Sequence, residues 1–114
     1  MLSVGSRPIF LHRGAADLRN SFAGLGALTE REFPGRLLDG GLFVFVNRRK
    51  TLVKVLYWDG DGLALWCKRL EKGTFRVAPD GRSELSRREF AMLLEGIHPR
   101  RLHSRFSLEK GVGT

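Results

Sequence analysis

Apolar residues recur along this chain in two distinct rhythms. Leu18, Phe22, Leu25 and Leu28 fall at spacings of four, three and three, which puts them on one stripe of a helix. The pattern predicts a helix over residues 17–33, ended by Pro34-Gly35. Gly24 and Gly26 within it each cost up to about 1 kcal/mol relative to Ala, and such glycines let a helix lie close to a sheet. A second stripe, Phe90, Leu93, Leu94 and Ile97, follows the best-specified helix start in the chain. Ser86 and Glu89 have the spacing of a capping box, and Leu85 and Phe90 that of a hydrophobic staple. Gly96 and Pro99 close this second helix.

Between the stripes the period shortens. LFVFVN (42–47), TLVKVLYW (51–58) and LALWCKRL (63–70) are strand-length runs separated by polar turns. The first is apolar on both faces, which predicts a central strand. Asn47 to Lys50 make a hairpin tip, and Asp59-Gly60-Asp61-Gly62 a turn that tolerates positive φ. Glu71-Lys72-Gly73 is a second tight turn, leading to a short last strand at 74–77 (TFRV). RPIFLH (7–12) reads as a first strand, and Pro8 confines it to an edge or to its first positions. Pro79-Asp80-Gly81 breaks the sheet.

Hairpin-length connections force antiparallel pairing. The expectation is a single-domain α+β fold of order β-α-β-β-β-β-α: an antiparallel meander sheet with two helices packed on one face. The globular domain is expected over 1–97. Residues 98–114 form a basic tail with little periodicity, expected to be partly disordered. If Asp59 pairs with Gly62, then Trp58 faces Leu63, Lys54 faces Cys67 and Val53 faces Lys68. Lys54 and Arg69 then share one face and Lys68 takes the other, and Trp58 and Trp66 fall on opposite faces. Core packing is the favoured role for both tryptophans, ahead of base stacking.

Composition narrows the partners. The chain has 114 residues, one domain by length. A hydrophobic fraction of 42%, with eight Phe, two Trp and one Tyr, argues against disorder. Twenty Lys and Arg against 12 Asp and Glu give a net charge of +8, a field that draws nucleic acid, anionic membrane or an acidic protein. The single cysteine, Cys67, precludes an intramolecular disulfide and fits the reducing cytoplasm. The N-terminus lacks a basic region followed by a long apolar core, and no apolar run is long enough to span a bilayer. Neither a signal peptide nor a membrane partner is expected.

Arg48, Arg49 and Lys50 at the hairpin tip, with Lys54, are the leading candidates for phosphate contact. The competing reading is an ordinary solvated turn. Lys68 and Arg69 gather further charge toward the same end of the sheet. Arg87 and Arg88 sit in the first turn of the second helix, where the dipole disfavours cations. A bound anion would reverse that effect. Asp59 and Asp61 lack the ligand spacing of a calcium loop. His12, His98, His103 and Cys67 lack metal-ligand spacing, and no catalytic motif stands out. No metal, cofactor or catalytic set is expected.

The run K-x-L-x-W-D-x-x-G (Lys54, Leu56, Trp58, Asp59, Gly62) precedes K-R-L-E-x-G-x-F (Lys68 to Glu71, Gly73, Phe75), and FAMLLEGI follows at 90–97. With Asp17-x-Arg19 upstream, these motifs resemble the accessory protein TnpB, the second open reading frame of bacterial insertion sequences of the IS-sixty-six class. This is not the RNA-guided nuclease that shares the label. The resemblance covers about residues 8–97. The family often has Trp-Pro after the final strand, where this chain has Val77-Ala78-Pro79. The resemblance implies a cytoplasmic bacterial protein that assists transposition beside a separate, larger transposase, and it brings no known catalytic residues.

The resulting expectation is a non-enzymatic accessory factor of transposition. It would bind DNA, at element ends or target, through Arg48, Arg49, Lys50, Lys54, Lys68 and Arg69, with Arg87 and Arg88 as a second phosphate point. The alternative is a protein-interaction module docking on the transposase. A nuclease using Asp59 or Asp61 is a third reading. Oligomeric state stays open.

Overall fold

The run Leu42–Val46 is buried at every position. A strand apolar on both faces must be covered on both, and that requirement organises the rest of the chain. The computed structural model describes residues 2–14, 16–19, 21–77 and 82–96. It comprises β1 (Ile9–Leu11), α1 (Phe22–Glu32), β2 (Leu42–Val46), β3 (Leu52–Trp58), β4 (Leu63–Arg69), β5 (Glu84–Leu85) and α2 (Arg87–Glu95). The five strands form one mixed sheet in the order β4-β3-β2-β1-β5, so the fold is a single α+β domain with β2 at its centre.

The β2-β3-β4 part is the antiparallel meander the turns predicted, and its register is the expected one. Trp58 pairs with Leu63, Lys54 with Cys67 and Val53 with Lys68. The Asp59 amide donates to the Gly62 carbonyl at 2.8 Å, and Gly60 takes φ +79°.

Three expectations about the sheet and its cover need correction. First, the sheet is not wholly antiparallel, because β1 runs parallel to β2. The connection from β1 to β2 carries α1 and is long enough for a crossover, whereas a hairpin is not. Second, residues 74–77 are not a fourth meander strand. The Phe75 amide donates to the Lys50 carbonyl, and Phe75 is 1% exposed. This segment buries its aromatic ring under the sheet and braces the β2–β3 tip. The remaining strand is β5, which pairs antiparallel with β1 at the other edge. β1 is therefore internal, and Pro8 stands just before it, at the first positions of the predicted strand, one of the two places the sequence allowed it. Its carbonyl accepts from the Leu42 amide.

Third, the helices do not share a face. Phe10, Phe43, Phe45 and Leu56 pack with Leu18 and Leu25 on the α1 side. Ile9, Leu11, Leu42, Val44, Val46, Val53 and Val55 pack with Phe90 and Leu93 on the α2 side. Alternate residues of each inner strand belong to opposite cores, as the period of two requires. The two cores put Leu65 and Trp66 on opposite sides of the sheet, and both remain partly exposed.

α2 begins as its sequence predicted. Ser86 Oγ accepts from the Glu89 amide at 3.0 Å, and Glu89 Oε1 accepts from the Ser86 amide at 2.8 Å. Ile97 lies outside the described residues, as does the basic tail. α1 starts at Phe22 and not at residue 17. Asp17 Oδ1 accepts from the Arg19 amide, a local turn that competes with helix formation. Phe22 is consequently 45% exposed, and the buried stripe of the helix is Leu25 and Thr29.

Phe10, Phe33 and Phe43 form a triangle with ring centroids 5.0–5.6 Å apart. A Cβ at Gly41 would stand 2.8 Å from Phe43 Cζ and 3.0 Å from Cε2. The Phe43 ring is boxed in by the other two and cannot retreat. Gly41→Ala is expected to destabilise the fold by about 1–3 kcal/mol, the scale of overpacking a tight core. Urea unfolding would check this, and an unchanged midpoint would contradict it.

Candidate nucleic-acid interface

The β2–β3 hairpin tip is held from within by Asn47. Its Oδ1 accepts from the Thr51 and Leu52 amides at 2.8 and 3.0 Å, and its backbone N–H donates to the Leu52 carbonyl. The Lys50 amide donates back to the Asn47 carbonyl at 3.0 Å. A tight turn over Arg48 and Arg49 is therefore followed by Lys50 at φ +60°, the one non-glycine with positive φ among the described residues. Glycine is the usual residue at this place in such a loop. A side chain there costs about 1–2 kcal/mol through crowding of Cβ against the carbonyl.

The tip is also braced from outside. The Leu70 amide donates to the Thr51 carbonyl at 2.9 Å, and the Phe75 amide to the Lys50 carbonyl at 2.7 Å. Arg48, Arg49 and Lys50 are exposed on this braced turn. Arg69 ends β4 opposite Leu52 and is exposed beside it. None of these four side chains makes an ion pair or hydrogen bond among the described residues. They form a cationic end of the sheet on a braced backbone.

The other four candidates are placed differently. Lys54 Nζ donates to the Leu18 carbonyl at 2.7 Å. Lys68 Nζ donates to the Leu94 carbonyl at 3.1 Å, near the end of α2, where a cation also offsets the helix dipole. The predicted register puts these lysines on opposite faces, and each ties its own layer to the sheet. Arg87 donates to the Gly5 carbonyl, and only Arg88 of that pair is without a partner among the described residues. The negative charge at the start of α2 comes from within the chain. Glu89 closes the capping box while Arg82 Nη2 lies 2.5 Å from its Oε2.

Asp17-x-Arg19 has a structural reading as well. The Arg19 side chain and amide both hydrogen-bond the Asp17 carboxylate, and its pKa is lowered to about 2 in consequence. Lys54 binds the carbonyl of the intervening Leu18, so this turn is pinned onto β3. The motif marks a docking point between the β1–α1 connection and the sheet.

Arg13, which the sequence reading passed over, stands near the tip. The end of β1 brings it to a small cavity shared with Arg48 and Lys50. No local pattern marked it, because its position depends on β1 running parallel beside β2. Among the described residues no group of three His, Cys, Asp or Glu side chains could hold a metal ion. No helix among them is long and apolar enough to cross a membrane.

Lys54→Met keeps the apolar stem and removes the donor to Leu18. It is expected to cost about 1–2 kcal/mol of stability, as for a hydrogen bond whose partner is left unsatisfied. Arg69→Gln is expected to change stability by less than about 0.5 kcal/mol, as at an ordinary surface site. Equal effects in thermal melts would contradict this division of the cations.

Comparison with known proteins identifies relatives for this arrangement. A family model described as IS66 Orf2 like protein matches residues 7–104. The chain is 35% identical over 96 residues to the protein y4hO of Sinorhizobium fredii, covering 80% of this chain and 84% of that one. It is 36% identical over 83 residues to y4jC of the same organism, covering 71% of each. No solved structure matches the chain.

Proposed function

The chain belongs to the IS66 Orf2 like family, and we propose that it serves the transposition of an insertion sequence as a non-catalytic factor that grips DNA with the hairpin end of its sheet. The contact surface is Arg48, Arg49, Lys50 and Arg69. Arg88 is a peripheral point on another part of the surface. Lys54 and Lys68 support the surface by holding α1's approach and α2's end in place.

The observation that carries this reading is the backbone of Lys50. A left-handed lysine where glycine fits without strain sacrifices stability for a charge at the tip. Neighbouring Arg48 and Arg49 extend that charge on a turn locked by Asn47. Such a turn presents its cations on a backbone with little entropy left to lose on binding. Contacts of this type go to phosphates and fix position on a duplex without reading its sequence.

A second reading, docking on the element's transposase, is supported by the outer edge of β4, which pairs with no strand among the described residues. That edge adjoins an apolar cavity of about 340 Å³ under Trp66, Phe90 and Leu94. Capture of the transposase in the presence of nuclease favours docking, and capture only through DNA favours the first reading.

The sharpest test combines stability and affinity in one variant. Lys50→Gly is expected to stabilise the fold by about 0.5–1 kcal/mol, the relief of the left-handed side chain less the entropy of glycine. It should also weaken duplex binding and flatten its salt dependence by one phosphate, a change of about 0.9 in the log–log slope. A stabilised variant with unaltered DNA affinity would remove Lys50 from the interface.

A further inference from the structure

β1 and β2 run parallel and end side by side, and the ladder between them is interrupted there. The His12 amide donates to the Val44 carbonyl at 2.9 Å. An unbroken parallel ladder would next bring the Gly14 amide to Val46. Instead the Ala16 amide donates to the Val46 carbonyl, at 3.3 Å. The ladder therefore slips by two residues between His12 and Ala16, in the stretch that holds Arg13 and Gly14.

The bulge opens a cavity of about 170 Å³ at the carboxyl ends of both strands, the position where sheets with parallel strands commonly hold ligands. Leu11, Val46 and Val77 give it apolar walls. His12, Asn47, Arg13, Arg48 and Lys50 supply its polar and cationic groups, and no carboxylate is among the described residues that line it. Its size suits a group of a few heavy atoms and not a whole nucleotide.

His12 is fixed in its wall. Nδ1 donates to Glu32 Oε1 at 2.6 Å, and the ring lies 5.7 Å from that of Phe45. Nε2 is the atom nearest the position of a Cβ on Gly14, at 3.5 Å. The lysine strained at the hairpin tip also lines this cavity. Its backbone conformation therefore bears on the cavity as well as on the outer surface.

We propose that this cavity is a phosphoryl-binding site, in which Arg48, Lys50 and Arg13 engage the oxygens of one phosphate group. Arginine forks and lysine point charges are the side chains that bind this dianion best. The proposal deepens the DNA reading and rests on it only for the source of the group: a strand's terminal phosphate, an internal backbone phosphate, or free inorganic phosphate.

The test is an amide-resolved NMR titration of the full chain, with inorganic phosphate as the first probe. Saturable shifts confined to residues around His12, Arg13, Asn47 and Arg48 are expected. Gly14→Leu should abolish them, because it fills the cavity, leaves every tip cation in place and has no positive φ to strain. Arg48→Gln should weaken binding about tenfold or more, as for the loss of a charge-assisted hydrogen bond. Arg31→Gln, which removes one charge from α1, should not.

A second titration compares a short single strand bearing a 5′-phosphate with the same strand bearing a 5′-hydroxyl. Preference for the phosphate end identifies a terminal group. Equal binding, lost in Gly14→Leu, identifies an internal phosphate. Binding of inorganic phosphate alone identifies the free ion. Phosphate shifts that are absent, that spread over all surface cations, or that persist in Gly14→Leu would overturn the site. Duplex affinity that survives in Gly14→Leu leaves the hairpin reading standing. Phosphate binding without any duplex affinity in the native chain would sink the hairpin reading and leave the cavity.

Discussion

Burial of β2 on both faces is the constraint on which the rest of this structure depends. Its five side chains divide between two cores, Leu42, Val44 and Val46 against Phe43 and Phe45. Each buried aliphatic or aromatic side chain contributes about 1.5–3 kcal/mol relative to an exposed one. Neither core can be left uncovered. α1 therefore closes one face, α2 the other, and β1 must enter between β2 and β5. The position of the cationic end follows, because the β2–β3 turn projects from the centre of the sheet and not from an edge.

Much of this was legible in the sequence, and the failures have particular causes. The β3–β4 register could be read from the Asp59–Gly62 turn, because a short hairpin leaves the pairing no freedom. The start of α2 could be read because Ser86 and Glu89 satisfy one another locally. The helix faces were misjudged even though the apolar run at 42–47 called for cover on both sides. Counting hairpins obscured that signal. The parallel β1–β2 pair and β5 were invisible, since both are pairings between residues far apart in the chain. Residues 74–77 look like a strand locally, but what they meet is the hairpin tip.

The cations show the same split. Composition and clustering marked Arg48 to Lys50 correctly as an exposed group. Sequence could not show that Lys54 and Lys68 spend their ammonium groups on the Leu18 and Leu94 carbonyls, because both partners come from distant elements. Those two lysines fall within the motifs that carry the family resemblance. They join layers, whereas Arg48, Arg49, Lys50 and Arg69 stay exposed together at one end of the sheet. Arg13 reaches the cavity beside that end only through the bulge at the end of β1.

The central claim is that this braced hairpin end is the surface that meets DNA. Hydrogen–deuterium exchange of the full chain, with and without a duplex carrying an element end, tests it most directly. The account predicts slowed exchange at residues 47–51 and around Arg69, with α2 and the β4 edge unchanged. Protection confined to α2 or to β4, with the tip unaffected, would contradict it.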